Sequence, residues 1–224
     1  PWERDNNYLR QMSILLGQKN QLWWDISAKD SYAMLADIYD LDKTKALQRV
    51  DELANLLDCT HVLNTQLRRL SLGERMKMEI IGSLLHEPKI LLLDEPTIGL
   101  DIVSQTTIRK FIATYVKEKG PTVILTSHYM DDIAKLADRL LLMSKGNIVY
   151  DGTVQGFINK SEQKQKITYD TSEQSFSVEV SEKNLTQSLS EITQIQGVHN
   201  LKIEEVDFES VIHDFLEKES GHRK

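Results

Sequence analysis

Cysteine is almost absent from this chain of 224 residues, and the one thiol, Cys59, leaves no internal disulfide to form. That usage fits a reducing compartment such as the cytoplasm, with Cys59 read as a small, half-buried packing residue rather than a reactive thiol. Long apolar runs are missing too: no stretch of 18 or more apolar residues occurs, so any membrane part of the function belongs to another chain. Basic charge is in deficit. A net charge of −7 and a pI near 5.4 argue against gripping a nucleic-acid backbone, which needs a cationic surface to displace counterions. The opening Pro1-Trp2-Glu3-Arg4 has neither an initiator Met nor a signal-peptide pattern and reads as an internal cut. There is no internal repeat, no sustained heptad, and no Gly-x-x-x-x-Gly-Lys-Ser/Thr, the loop whose backbone N–H groups cradle nucleotide phosphates.

What is present is enough to fold. With 40% hydrophobic residues the chain can bury one core and a smaller second one. Met12 to Leu16 is a short apolar run closed by Gly17-Gln18, as in a buried strand that ends in a loop. Residues 27–86 then read as a mainly helical insert. Ser27 N-caps a helix to about Tyr39, and a second helix over Lys43 to Leu57 places Leu47, Val50, Leu53 and Leu57 on one face. A third begins at Ser71, where Ser71-Leu72-Gly73-Glu74 has the form of a capping box, and runs to about His86.

The period then changes. Lys89 to Leu93 and Thr122 to Thr126 are continuous apolar runs, the pattern of parallel strands covered on both faces. A helix from Ser104 to Lys119 joins them as a βαβ unit. Another helix follows from Met130 to Asp138, and Leu140-Leu141-Leu142 and Ile148-Val149-Tyr150 flank a turn as a hairpin. Beyond Asn159 the composition shifts to Gln, Ser, Lys and Glu and reads as a linker. Strands at Phe176 to Val180 and Val198 to Ile203, with helices at Lys183 to Gln194 and Glu209 to Lys218, complete a small α/β appendage.

The chemistry concentrates at Ile90-Leu91-Leu92-Leu93-Asp94-Glu95-Pro96-Thr97. A buried strand that ends in two adjacent carboxylates presents them where open α/β sheets bind ligands. One carboxylate can hold Mg²⁺ and the other can position or deprotonate an attacking water. On its own this is also a common strand ending. Its company decides the matter: Ser71-Leu72-Gly73-Glu74 upstream, Gly99-Leu100-Asp101 just after, Ser127-His128 following the next buried strand, and Gln18 after the first strand.

In that order these segments resemble the Q-loop, signature, Walker B, D-loop and H-loop of the ATP-binding cassette (ABC) ATPases. The resemblance covers Met12 to Gly156, and the residues around Gln18 and Ser71 resemble the branch that serves ABC-2-type exporters. It implies a P-loop-NTPase-like α/β fold with a mainly parallel sheet, a helical signature subdomain and a small C-terminal α/β appendage. The expected domains are 1–158, a partial ATPase domain with the helical subdomain at 27–86 and part of the core at 87–158, and 159–224, an accessory domain. It implies ATP and Mg²⁺ as ligands, with Asp94 orienting the metal, Glu95 as general base, His128 on the γ-phosphate, and Gln18 reaching metal and water. Ser71, Gly73 and Glu74 of the signature would bind the ATP held by a second copy of the subunit, and Asp101 would lie at the dimer interface. Leu72 departs from the commoner Gly.

The partners implied are that second copy, in a head-to-tail dimer, and an integral membrane permease on the inner face of the cell membrane; nucleic acid is not among them. Family order puts the phosphate-binding loop upstream of Gln18, so this chain alone is expected to bind ATP weakly or not at all and to leave one sheet face poorly covered. A soluble ABC ATPase of DNA repair or translation and a non-catalytic regulatory module are the other classes. The first lacks its usual coiled-coil insertion here, and intact Glu95 and His128 speak against the second. His61, His86, His199, His213 and His222 show no metal-ligand spacing. Two readings stay open for Trp23-Trp24, packing within the helical insert or lining a groove for the permease, and for the tail, regulation or dimerisation against simple packing.

Overall fold

The computed structural model describes residues 5–17, 19–127, 129–160, 164–171, 174–181, 184–205, 212 and 215. Two compact units divide the chain, Pro1–Leu136 and Ala137–Lys224.

The first unit begins with α1 (Asn6–Leu9) and β1 (Met12–Leu16), followed by α2 (Ala28–Ile38), α3 (Lys43–Leu56) and α4 (Leu72–Leu84). It continues through β2 (Ile90–Asp94), α5 (Ile102–Lys119), β3 (Thr122–Thr126) and α6 (Met130–Leu136). The strands form one parallel sheet in the order β1-β2-β3. Four helix starts have a chemical cause: Ser27, Asp42, Ser71 and Asp101 each accept a backbone N–H from the first turn. Helix α5 thus starts at Ile102, two residues before the expected Ser104, because Asp101 caps it.

Two packing expectations need correction. Helix α3 buries Ala46, Val50, Leu53 and Ala54, while Leu47 is 42% exposed, because the inward face is rotated by one residue toward the smaller Ala46. The parallel strands are fully covered on one face only. Leu15, Leu91 and Leu93 are buried in the core with Ile81, Ile108 and Phe111, whereas Ile14 and Ile124 on the opposite face are 46% and 59% exposed. Ile14 and Leu92 of that second face line a cleft with Asn6 and Leu9 of α1. Cys59 is fully buried, and burial pushes its thiol up to about 12, which makes it inert packing rather than a half-buried residue.

The second unit opens with the antiparallel hairpin β4 (Arg139–Ser144) and β5 (Asn147–Thr153), closed by α7 (Val154–Lys160). It continues through β6 (Lys164–Asp170), β7 (Ser175–Ser181), α8 (Leu185–Thr193) and β8 (His199–Glu205). The second sheet has the order β7-β6-β8, so its central strand occupies residues assigned from composition to a linker. Ile167 and Tyr169 alternate with Lys166 and Thr168 there, and such a half-polar strand hides in a compositional reading. The observed division falls at 136/137 rather than 158/159, because the hairpin shares its packing with α7. Tyr150 meets Phe157 edge-on at 5.0 Å, and Phe215 meets Phe157 at 5.1 Å. Ile212 and Phe215 are helical; the rest of the helix expected over Glu209 to Lys218 lies outside the described residues.

Candidate active site

Three motif-bearing segments leave the C-terminal ends of three adjacent parallel strands. Leu16 pairs with Asp94, and Asp94 with Thr126, so the strands end in step. The ladder runs on past the strands: Gly17 N–H donates to the Asp94 carbonyl at 2.7 Å, and Glu95 N–H donates to the Thr126 carbonyl at 3.0 Å. Asp94 is exposed, and its Oδ1 accepts the Thr126 hydroxyl at 2.6 Å. Glu95 is half-buried and holds a left-handed backbone, φ 53°, although it precedes Pro96. A non-glycine residue in that region costs about 1–3 kcal/mol and turns its side chain out of the strand direction. Gln18 and His128 lie outside the described residues.

Behind these strand ends lies a polar cluster that the motifs do not announce. Asp132, on α6, is completely buried and accepts from the Thr97 hydroxyl, from the Ser127 hydroxyl at 2.7 Å and from Arg109 Nε. Arg109, on α5, also donates to Gln105 at 3.2 Å, and Gln105 Nε2 donates to the Leu100 carbonyl at 3.1 Å. The available signal was faint: Asp132 shares a helix face with Leu136, which packs on the core, so a carboxylate stands on an apolar face.

The signature segment caps α4 as its sequence implies. Ser71 Oγ accepts the Glu74 N–H at 3.3 Å, and Glu74 returns the contact by accepting the Ser71 N–H at 2.9 Å and its hydroxyl at 2.7 Å. Those bonds from Ser71 hold the Glu74 carboxyl below its usual range. Gly73 is buried against the same chain. A Cβ there would stand 2.2 Å from Ser104 Oγ, whose hydroxyl donates to Asp101 Oδ2 at 2.6 Å. The bonds from Ser104 lower the Asp101 carboxyl. Signature and D-loop therefore share one ledge, edged by Leu72, Ile102 and Val103 with exposures of 39%, 80% and 75%.

A second residue missed in the sequence is Glu79, buried on α4. Its Oε1 and Oε2 each accept the Gln21 N–H at 3.1 Å, and Oε1 also accepts the Leu22 N–H at 3.3 Å. Burial raises its pKa, against the pull of those amides and of Arg75. The signature helix thus grips the segment after Gln18. Of the next three residues Leu22 is buried, while Trp23 and Trp24 are 37% and 41% exposed, with the Arg75 guanidinium 4.9 Å above the Trp24 ring. Trp24 packs on Arg75 of α4 within the helical insert while both indoles keep an exposed face, so both readings of the pair stand.

Among the described residues no group of three or more His, Cys, Asp or Glu could hold a metal by itself. One exposed carboxylate beside a hydroxyl, Asp94 with Thr126, is instead the hard-oxygen donor set that suits Mg²⁺ carried on nucleotide phosphates. The residues fit a metal that arrives with its nucleotide.

Comparison with known proteins agrees with this geometry. Residues 3–98 match the family described as ABC transporter. The chain is 28% identical over 160 residues to the ABC transporter ATP-binding protein NatA of Bacillus subtilis, covering 71% of this chain and 64% of that protein. It is 31% identical over 139 residues to the daunorubicin resistance ATP-binding protein DrrA3 of Streptomyces coeruleorubidus, covering 62% and 44%. The solved structure of cbiO1 from Clostridium perfringens, part of the ABC transporter complex cbiONQ, superposes with a TM-score of 0.61 at 27% identity, covering 68% of this chain and 61% of that one. The chain is similar to ABC transporter ATP-binding proteins and spans less than two thirds of the length of these relatives. Among the described residues no helix is long and apolar enough to cross a membrane.

Proposed function

We propose that this chain is the motif-bearing part of an ATP-hydrolysing subunit that powers a separate membrane permease, most simply an exporter. The observation that carries the proposal is the stepped end of the parallel sheet, where Gly17, Asp94-Glu95 and Thr126-Ser127 leave three adjacent strands side by side. Asp94 would hold Mg²⁺, which would supply charge to the nucleotide phosphates, and Glu95 would take the proton of the attacking water. His128 would contact the γ-phosphate, and Gln18 would reach metal and water.

Dimerisation is supported by the ledge on which Ser71, Gly73 and Asp101 sit, since exposed Ile102, Val103 and Leu72 border it and a second copy would cover them. In that dimer the signature faces the ATP held by the twin, where a helix N-terminus suits an anion. The exposed Trp23-Trp24 pair suits a permease contact, because aromatic anchors are enriched at such interfaces. Through the permease the subunit sits on the inner face of the membrane. The exporter assignment leans on the segments around Gln18 and Ser71 and on the likeness to the daunorubicin resistance protein.

Replacing Glu95 by Gln in the complete subunit tests the reading. The expected result is lost turnover with ATP-induced dimerisation retained. Undiminished hydrolysis would remove Glu95 from the role of base.

A further inference from the structure

The geometry points to Asp132 as a positioning residue that locks the turn after Glu95 and the loop carrying His128 into one register. The inference rests on the ATPase reading for its purpose, but its geometry stands apart from it. Asp132 is buried, on α6, outside every motif, and touches no position assigned to substrate. Its Oδ2 accepts two hydroxyls, those of Thr97 and Ser127. Thr97 stands two residues after Glu95, and Ser127 one residue before His128.

The pinning at the second loop is double. Ser127 Oγ donates to Asp132 and at the same time accepts the Tyr129 N–H at 3.0 Å, while the Asp132 N–H donates to the Tyr129 carbonyl, also at 3.0 Å. Ser127 is therefore tied to the carboxylate directly, and Tyr129 is tied to it through the Ser127 hydroxyl and to the Asp132 backbone amide. Oδ1 takes Arg109 Nε, which balances the charge; Arg109 Nη1 also reaches Asp131 at 3.4 Å, and Lys135 holds Asp131 at 2.9 Å from the other side. From Arg109 the network runs through Gln105 to the carbonyl of Leu100, the residue before Asp101.

A buried ion pair is weak evidence for stability, since two apolar side chains could fill the same space at similar or lower cost. What apolar side chains cannot do is fix two loops to a common point. A fully paired polar network in a low dielectric admits few alternative geometries. Here the common point is one oxygen atom, so freeing either hydroxyl loosens the seat of the other.

Amide hydrogen exchange on the 224-residue chain tests this with two variants that leave the Arg109–Asp132 pair in place. Thr97→Val should speed exchange at the Tyr129 amide, and Ser127→Ala at the Ile98 amide, which bonds the Glu95 carbonyl within its own turn, each about tenfold as expected for one buried hydrogen bond. Both effects cross from one loop to the other, which a purely local structural role would not produce. The double variant should be non-additive, since both single changes act on one carboxylate. Exchange confined to the mutated loop, or additive effects, would overturn the inference. In the complete subunit the same two variants should lower kcat about tenfold at unchanged KM for ATP. Raised KM at unchanged kcat would also overturn it. A wild-type subunit without ATPase activity would instead defeat the functional reading and leave the exchange result standing.

Discussion

A Cβ placed on Gly17 would stand 2.0 Å from the carbonyl oxygen of Glu95 and 2.8 Å from its carbonyl carbon. The first strand end and the Asp94-Glu95 turn therefore touch backbone to backbone, and glycine is required by space rather than by a left-handed conformation. Gly17→Ala should cost about 1–3 kcal/mol, the range for forcing a group into packed space. The strain would fall on Glu95, whose backbone is already at φ 53°. Chemical denaturation measures the cost, and a neutral Gly17→Ala would show that the two segments move apart freely.

Glu79 makes the stability of the first unit depend on pH. Burial raises its carboxyl above the ordinary range, with the Leu22 and Gln21 amides and Arg75 opposing. An acid whose pKa rises on folding contributes stability below its unfolded value, about 4.3, and loses that contribution as the pH climbs through the folded value. The stability of the natural chain relative to Glu79→Gln should therefore fall as the pH rises from about 4 through the raised pKa. Thermal melts of both proteins over that range supply the comparison. A difference independent of pH would remove Glu79 as the source.

The sequence contains no phosphate-cradling loop, and the described site offers a carboxylate, hydroxyls and a capped helix but no clustered cations for a triphosphate. Titration calorimetry of the 224-residue chain with Mg-ATP should give no binding in the micromolar range. Micromolar affinity would mean that other residues of this chain supply the cradle.

Much of this was legible in the residues. Strand β3 is Thr122–Thr126 as its apolar run states, and α4 starts at the Ser71 capping box because that box is local chemistry, complete within four residues. The central strand β6 was not legible, since Lys164–Asp170 is polar on one face and shows its role only when β7 and β8 pair with it. Leu47 misled for a related reason: several spacings satisfy a helix, and the neighbouring elements choose which face turns inward.

Asp132 and Glu79 divide the two sources of information most sharply. The order of motifs along the chain carried the resemblance to ABC ATPases and the strand ends at which Asp94 and Glu95 would stand, because short-range pattern and spacing suffice for that. Which buried carboxylates serve those motifs was decided by tertiary structure alone. Asp132 meets Thr97 across 35 residues and Glu79 meets Gln21 across 58, and no local rule pairs groups so far apart in sequence. Burial settles such pairings, because a desolvated carboxylate must find its donors wherever the fold brings them.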